Sequence, residues 1–395
     1  MKSTTTIGHP ILVTALALLG ATSDVSAQTG GFVATLGTDT VQVESFRRDG
    51  DRITGTIIAR SPAFTRVEWS MSFSGSRLTR YEQKAFNADG QPVLNGRTGS
   101  FTVAGDSLTR EAYQAGQLVT SRLAAPATVL PAFGLPYIGT TFLIYELGLA
   151  PKVAGDTALY SLSLNAGMRS VQRSRAWIIG SDSAELDYFN VARSGYRFDG
   201  AGQLIRADWT RTTYRYRVIR VASVDLERTA TGWAEAERAG HGFGALSPRD
   251  SSKATVGNAE LSIDYSRPSQ RGRNLWGDVV PFDKVWRLGA DMATHFATSA
   301  DLMIGETKVP AGRYTLWMIA SDTAPMLIVS SAVNVFGTNY APTKDFARIP
   351  LTRRTNASGA ERLTLSVANG VLLIQWGTVG WSVPVKEARL TVRLP

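Results

Sequence analysis

The chain is poor in the side chains that most enzymatic chemistry requires. It contains no Cys, which excludes disulfides, thiolate nucleophiles, thiolate zinc sites and Cys-bound iron–sulfur clusters. Its 3 His stand at positions 9, 241 and 295. His241 lies between two glycines in a Gly- and Ser-rich stretch, and only His295 falls in an apolar run (THFATSADLMI) that reads as strand. The familiar strings of nucleophilic and phosphate chemistry, G-x-S-x-G, S-x-x-K, the P-loop and H-E-x-x-H, do not occur. Gly105-Asp106-Ser107-Leu108 spells an esterase signature, yet it sits in a turn between FTV and LTREAY, not between a strand and a helix. GHGFG at 240–244 imitates half a dinucleotide fingerprint with no strand leading in and no long helix following. The residues suited to recognition without chemistry are Tyr265, Arg267, Arg273, Trp286, Arg287, Tyr314, Trp317 and Trp376. Guanidinium forks match carboxylate and phosphate oxygens, and indole or phenol rings offer stacking faces to sugars. The same residues have a structural reading, in which Arg stacked on Trp or Tyr pins the 266–285 connection against a sheet. Asp264, Asp283 and Asp291 are the carboxylates that acid–base chemistry would draw on, but the spacing that such chemistry needs is spatial.

These side chains have to be placed by strands. From Gln28 to Ala239 the text consists of short alternating runs broken by turn residues, with Asp-Gly at 49–50, 89–90 and 199–200 between apolar or aromatic segments. That dipeptide is the strongest short-range hairpin signal, so the stretch predicts an antiparallel β-meander, an open or half-barrel sheet. The Pro-interrupted apolar segment 123–151 changes the period. Ile138, Phe142, Tyr145 and Leu149 recur at spacings of four, three and four, which predicts one short helix lying over the sheet, as core crossover or as ligand-covering lid. In WTRTTYRYRVIRV (209–221) a period of two puts Arg211, Arg215 and Arg217 on one face and Tyr214, Tyr216 and Val218 on the other. From Ala259 onward, eight or so short strands separated by Gly, Pro and Asn-Gly turns predict a second unit, a β-sandwich or jelly-roll-like domain.

The whole is therefore an all-β chain. Residues 1–27 read as a signal peptide: Lys2, a nine-residue apolar run from Ile11 to Leu19, and Val25-Ser26-Ala27 before a cleavage point after Ala27. That apolar run is too short to cross a bilayer, and no later window is long enough. The meander spans 28–240, a linker rich in Gly, Ser and Pro spans 241–255, and the sandwich spans 256–395. A net charge of +9 is spread over both halves, with 42 Lys plus Arg of which 34 are Arg. Nothing concentrates it into the basic stripe that nucleic acid requires.

Between residues 246 and 390 the residues resemble a known family. Tyr265-Ser266-Arg267-Pro268, Arg271-Gly272-Arg273, Trp276-Gly277, Val285-Trp286-Arg287-Leu288-Gly289-Ala290 with Thr294, Ala311-Gly312-Arg313-Tyr314 and Trp376-Gly377 follow, in order, the pattern of the bacterial domain of unknown function 2911. The resemblance implies an exported protein and brings no established activity. Where the family has Asn-Glu-Ala-Thr, this chain has Asp291-Met292-Ala293-Thr294, so chemistry resting on that carboxylate would be absent here.

The expectation is an exported protein of the periplasm or exterior, with no cofactor, no metal, no nucleic-acid partner and no transmembrane span. It binds an apolar or anionic small ligand, lipid or glycan, or a partner, without catalysis. The alternatives are a hydrolase or lyase acting on envelope polysaccharide, and a structural envelope component.

Overall fold

The computed structural model describes residues 28–132, 140–150, 154–188, 192–212, 214–355 and 357–388; the leader read at 1–27 and Ile138 lie outside them. Alternating strands joined by tight turns build the first half. They are β1 (Gln28–Leu36), β2 (Asp39–Asp49), β3 (Arg52–Ala59), β4 (Thr65–Ser74), β5 (Arg77–Phe86), β6 (Gly99–Ala104), β7 (Ser107–Gln114) and β8 (Gln117–Ala124). After a crossover that carries β9 (Leu130–Pro131) and helix α1 (Leu143–Leu149) come β10 (Gly155–Leu162), β11 (Gln172–Ile179), β12 (Ser183–Tyr188), β13 (Ala192–Phe198), β14 (Leu204–Asp208) and β15 (Arg217–Val221). All three Asp-Gly pairs fall in connections between antiparallel neighbours.

The order in this sheet is β8-β7-β6-β5-β4-β3-β2-β1-β15-β14-β13-β12-β11-β10-β9. The chain starts in the middle, meanders to one edge, crosses the whole sheet and meanders back until β15 pairs with β1. So wide a twisted sheet curls, and its inner face is too apolar to leave wet. The crossover supplies the cover. Phe142, Leu143, Ile144, Tyr145 and Leu149 are buried against Phe32, Phe46, Tyr196, Trp209 and Tyr216. The helix is shorter than the spacing from Ile138 to Leu149 predicts and begins after Phe142; Phe142, Tyr145 and Leu149 are buried, and so are Leu143 and Ile144 between them.

Two buried ionisable groups hold this arrangement. Glu44 on β2 is fully buried beneath the start of α1, accepting from Thr141 Oγ1 at 2.9 Å and from the Phe142 amide at 3.0 Å. Burial outweighs these bonds and raises its pKa to about 8. The neutral carboxyl is a donor as well as an acceptor, and Gln42 Oε1 beside it is a buried acceptor without a hydrogen bond. Half a turn of the Gln42 amide, whose nitrogen is 3.4 Å from Glu44 Oε2, brings the two together. Arg110 on β7 is the second group. Its guanidinium donates to the carbonyls of Ser163 (3.2 Å), Asn165 (3.1 Å), Ala166 (3.1 Å) and Met168 (2.9 Å) in the β10–β11 loop. Among the described residues no backbone ladder joins β8 to β9, the two edges of the sheet; the buried arginine links β7, near one edge, to the β10–β11 loop, near the other.

The outer face is covered in part by helix α2 (Leu226–Arg238), capped by Asp225, whose side chain accepts from the Arg228 amide. Ala230 and Ala234, one turn apart, pack on Val43 and Ile58. The sequence reading placed only alternating runs here; an inward face made of two alanines and Trp233 gives too weak an apolar stripe to be seen.

The second half is a sandwich. Its strands are β16 (Arg249–Val256), β17 (Ala259–Ser266), β18 (Val285–Trp286), β19 (Thr294–Thr298), β20 (Leu302–Ile304), β21 (Thr307–Val309), β22 (Gly312–Ile319) and β23 (Met326–Ser330). After them come β24 (Asp345–Pro350), β25 (Thr352–Thr355), β26 (Thr364–Ala368), β27 (Val371–Trp376) and β28 (Val379–Glu387). One sheet runs β16-β17-β19-β22-β23-β24 with β18 beside β22, and the other β21-β20-β28-β27-β26 with β25 beside β28. Between them lie Leu261, Ile263, Phe296, Leu316, Leu365, Ile374, Trp381 and their neighbours. Strand β16 occupies residues that the sequence reading assigned to the linker. It is a polar edge strand, exposed at every second residue, and its text RDSSKATV is loop-like for that reason.

Two outcomes test the buried pair. The folded pKa of Glu44 lies above its ordinary 4.5. Below pH 4.5 both states hold the proton; between 4.5 and 8 only the folded state does, so stability falls as pH rises through this window and the loss is complete above 8. Unfolding curves of the wild type should therefore lose on the order of several kcal/mol from pH 5 to pH 8.5, whereas Glu44→Gln, which keeps the acceptor but does not titrate, should be nearly flat. Arg110→Met should lower the unfolding free energy in urea by about 3–5 kcal/mol, because the carbonyls of the 163–168 loop lose their donor.

Candidate functional site

The recognition residues read from the sequence separate into distinct settings. Tyr265, Trp317 and Trp376 are core side chains, each about 2% exposed or less. Tyr265 Oη accepts from the Leu365 amide, Trp317 Nε1 donates to Thr315 Oγ1 and Trp376 Nε1 to the Glu361 carbonyl. Their ring types suggested stacking platforms; their depth leaves no face for a ligand. Arg267 also works within the fold, donating to the Leu363 carbonyl, Thr364 Oγ1 and Asp250. Tyr314, also buried, donates its hydroxyl to the Pro310 carbonyl. Trp286 stacks on Trp376 with ring centres 5.9 Å apart and planes 14° apart. Trp276 closes edge-on against both and against Trp381 at 4.1 Å, so four indoles form one packed block.

The carboxylates do not converge as a catalytic pair. Asp264 pairs with Arg249 at 2.7 Å, Asp283 stands exposed in a left-handed turn, and Asp291 neighbours Arg287. His295 has its Nδ1 3.5 Å from Arg249 and its Nε2 buried without a hydrogen bond, and burial followed by Arg249 lowers its pKa. Among the described residues no group of three or more His, Asp or Glu is placed to hold a metal.

Arg273 and Arg287 are each acted on by Arg215, which belongs to the other half. The even face expected for 209–221 is broken: β14 ends at Asp208, β15 starts at Arg217, and between them Arg215 turns left-handed at φ 59°. Tyr216 and Val218 stay on the core side, but Arg215 leaves the strand face and donates to the carbonyls of Asp278 (3.5 Å) and Val279 (3.1 Å) in the second half. Nearby, Arg271 pairs with Asp39, and its carbonyl accepts from the Thr38 amide at 3.0 Å. A Cβ on Gly37 would stand 2.1 Å from that carbonyl, so the β1–β2 turn needs glycine there for close approach as well as for its φ of 62°. Phe243, in the stretch read as linker, is held between Arg60 and Arg271 at 4.2 and 4.3 Å.

Two hollows lie in the first half. One, about 510 Å³, is a wide, shallow depression lined by Ser45, Thr54, Thr56, Arg47 and Glu68. The other, about 420 Å³, lies where the β2–β3 and β4–β5 hairpins meet α1 and β10. Phe73, Leu78, Val129, Leu130, Leu147 and Leu159 line it, with Arg48 and Asp51 among the polar residues. Leu78, Val129, Leu130 and Leu159 are also members of the sheet's own core, so this cleft opens directly onto the covered face. Gly148 of α1 makes the fit possible, since a Cβ there would lie 2.3 Å from Leu159 Cδ1. Sequence reasoning named none of these lining residues. The one available signal was the apolar segment over the meander, read as core cover or as lid. Among the described residues no helix is long and apolar enough to cross a membrane.

No curated protein matches the chain. Two solved structures are similar in part. A DUF1089 family protein from Pseudomonas aeruginosa shares 14% identity over 42% of this chain and 89% of its own, with a TM-score of 0.30. A β-barrel-like protein of domain of unknown function DUF1849 from Brucella abortus shares 10% identity over 49% of this chain and 94% of its own, with a TM-score of 0.29. The family model described as protein of unknown function (DUF2911) matches residues 247–385, the sandwich half in which the motif residues were read.

Proposed function

We propose that this is an exported, non-catalytic binding protein of the cell envelope, whose first half holds the apolar chain of a small amphiphile in the cleft beside α1. The observation that carries this reading is the continuity of the cleft with the core. Leu78, Val129, Leu130 and Leu159 of its wall belong to the core beneath and within the covering crossover, and its volume of about 420 Å³ falls in the range of small-ligand sites. An alkyl chain placed there exchanges water for apolar contact along its length, worth about 0.8 kcal/mol per buried methylene. Arg48 beside the cleft suits an anionic head group. The leader pattern at 1–27 supports export, and the dispersed carboxylates favour binding over hydrolysis.

Two measurements test the reading. Native mass spectrometry of protein purified from its own envelope should show a retained small ligand. A dansyl-labelled fatty acid should bind the purified protein with Kd of roughly micromolar order, and Leu147→Trp, which fills the cleft from α1, should weaken it at least about tenfold, or ~1.4 kcal/mol. No retained ligand together with no probe binding overturns the proposal, as does probe affinity unchanged by Leu147→Trp.

A further inference from the structure

The outer face of the first sheet is sheltered only in part. Helix α2 lies on Val43 and Ile58; two residues away on the same strands and the same face, Ser45 and Thr56 are outside its cover. The register extends this face into a grid. Gly31, Ser45, Thr56 and Glu68 stand side by side across β1, β2, β3 and β4, and Thr29, Arg47, Thr54 and Ser70 form the next row. Neighbours in a row are about 4.8 Å apart and the rows about 6.8 Å, which are the strand spacing and twice the rise per residue.

Small side chains in the middle of the grid, bordered by residues 222–224, make the depression of about 510 Å³. A Cβ on Gly31 would stand 2.3 Å from the Glu44 carbonyl oxygen and 3.4 Å from Val224 Cγ1, so glycine lets β2 and this border close in on it. Rings back the floor from the core side. The Trp69 indole lies against Gly55, where a Cβ would meet its Cζ2 at 2.3 Å, and the Phe46 ring lies against Gly30. The floor is therefore carried by packed central strands, which position side chains more precisely than loops do.

The polar groups of this depression are not spent on the fold. Among the described residues the hydroxyls of Ser45, Thr54 and Thr56 make no hydrogen bond, and Arg47 makes neither a hydrogen bond nor an ion pair. Glu68 accepts at one oxygen from Arg66 at 3.2 Å, and Arg66 is gripped in turn by both oxygens of Glu227 on α2, at 2.9 and 3.0 Å. That chain of contacts orients Glu68 and leaves its second oxygen to accept. Arg47 and Glu68 are the charged residues of the lining, and they cancel.

We propose that this depression binds a neutral saccharide. Each floor hydroxyl both donates and accepts, as each sugar hydroxyl does, while Arg47 adds donors and Glu68 an acceptor. Such a grid suits a flat ring with hydroxyls around its rim. A phosphate or carboxylate would meet one guanidinium and an opposing carboxylate, and an alkyl chain would leave the hydroxyls without partners. The floor is on the opposite face of the sheet from the apolar cleft, and its occupation does not depend on the reading of that cleft.

The test is saturation-transfer NMR on the purified full chain, with maltose, cellobiose, lactose and N,N′-diacetylchitobiose as neutral probes and digalacturonic acid as a charged one. At least one neutral disaccharide should receive saturation, with Kd of roughly millimolar order, since each neutral hydrogen bond exchanged with water contributes little. Ser45→Ala combined with Thr56→Val removes two floor hydroxyls and keeps the shape; it should raise that Kd at least about fivefold. Arg47→Ala, at the exposed rim, should raise it at least about threefold, and decides alone if the floor variant does not fold. Thr120→Val, which removes an exposed hydroxyl on β8, should leave it unchanged. Transfer to none of the neutral sugars, tighter binding of digalacturonic acid than of any of them, a Kd that the floor variant does not move, or an equal loss in Thr120→Val overturns the proposal.

Discussion

The constraint on which the first half depends is the wet face that an open meander would leave behind. Fifteen strands in one curled sheet have an inner surface of Phe, Tyr, Trp and Leu too large to expose. A closed barrel would hide it by joining its edges; here the chain lays its own crossover over the face. The crossover brings backbone amides with it, and one of them, at Phe142, meets the Glu44 carboxyl. A buried acid is a costly way to satisfy an amide and a hydroxyl. Its elevated pKa lowers that cost, since a neutral carboxyl keeps the hydrogen bonds and sheds most of the desolvation penalty. Arg110 solves the complementary problem near the edges, where loop carbonyls without strand partners converge on one guanidinium.

The same principle organises the join between the halves. The turn at Gly37–Thr38 and the loop at Arg271–Arg273 meet backbone to backbone, and each brings a charged side chain that the other neutralises or caps. Phe243 fills the remaining gap between two guanidiniums, so the segment that connects the halves is packed between them. Arginine is suited to such a place because its planar head can stack on a ring with one face and donate in its own plane.

What was legible in the sequence follows from where burial is one-sided. The Asp-Gly turns, the meander and the short covering helix show because turn chemistry and apolar spacing are local signals. Strand β2 shows the limit. Its text DTVQVESF, read by alternation, turns Val41 and Val43 inward and Gln42 and Glu44 to water. Instead both faces are covered, Val43 by α2 and Glu44 by the crossover before α1, so the period no longer tells inside from outside. Arg215 was placed on a regular strand face because period-two text does not announce a left-handed residue. The candidate residues of the second half were found by type, and type alone did not separate a ring that stacks on a ligand from one that fills a core.

The motif residues of the second half are spent on holding structure, and part of what they hold lies outside it. Trp276, Trp286 and Trp376 build the indole block, and Arg267 ties Asp250 to the start of β26. Arg271 and Gly272 do something else: they face Thr38 and Asp39 of the first sheet. The family model begins at residue 247, so these two positions act here across a boundary the matched segment does not contain. An Arg-Gly-Arg turn with Arg271 and Gly272 both left-handed projects its carbonyl and one guanidinium outward while Arg273 folds back on its own loop. In this chain the Arg271–Gly272 turn meets the β1–β2 turn.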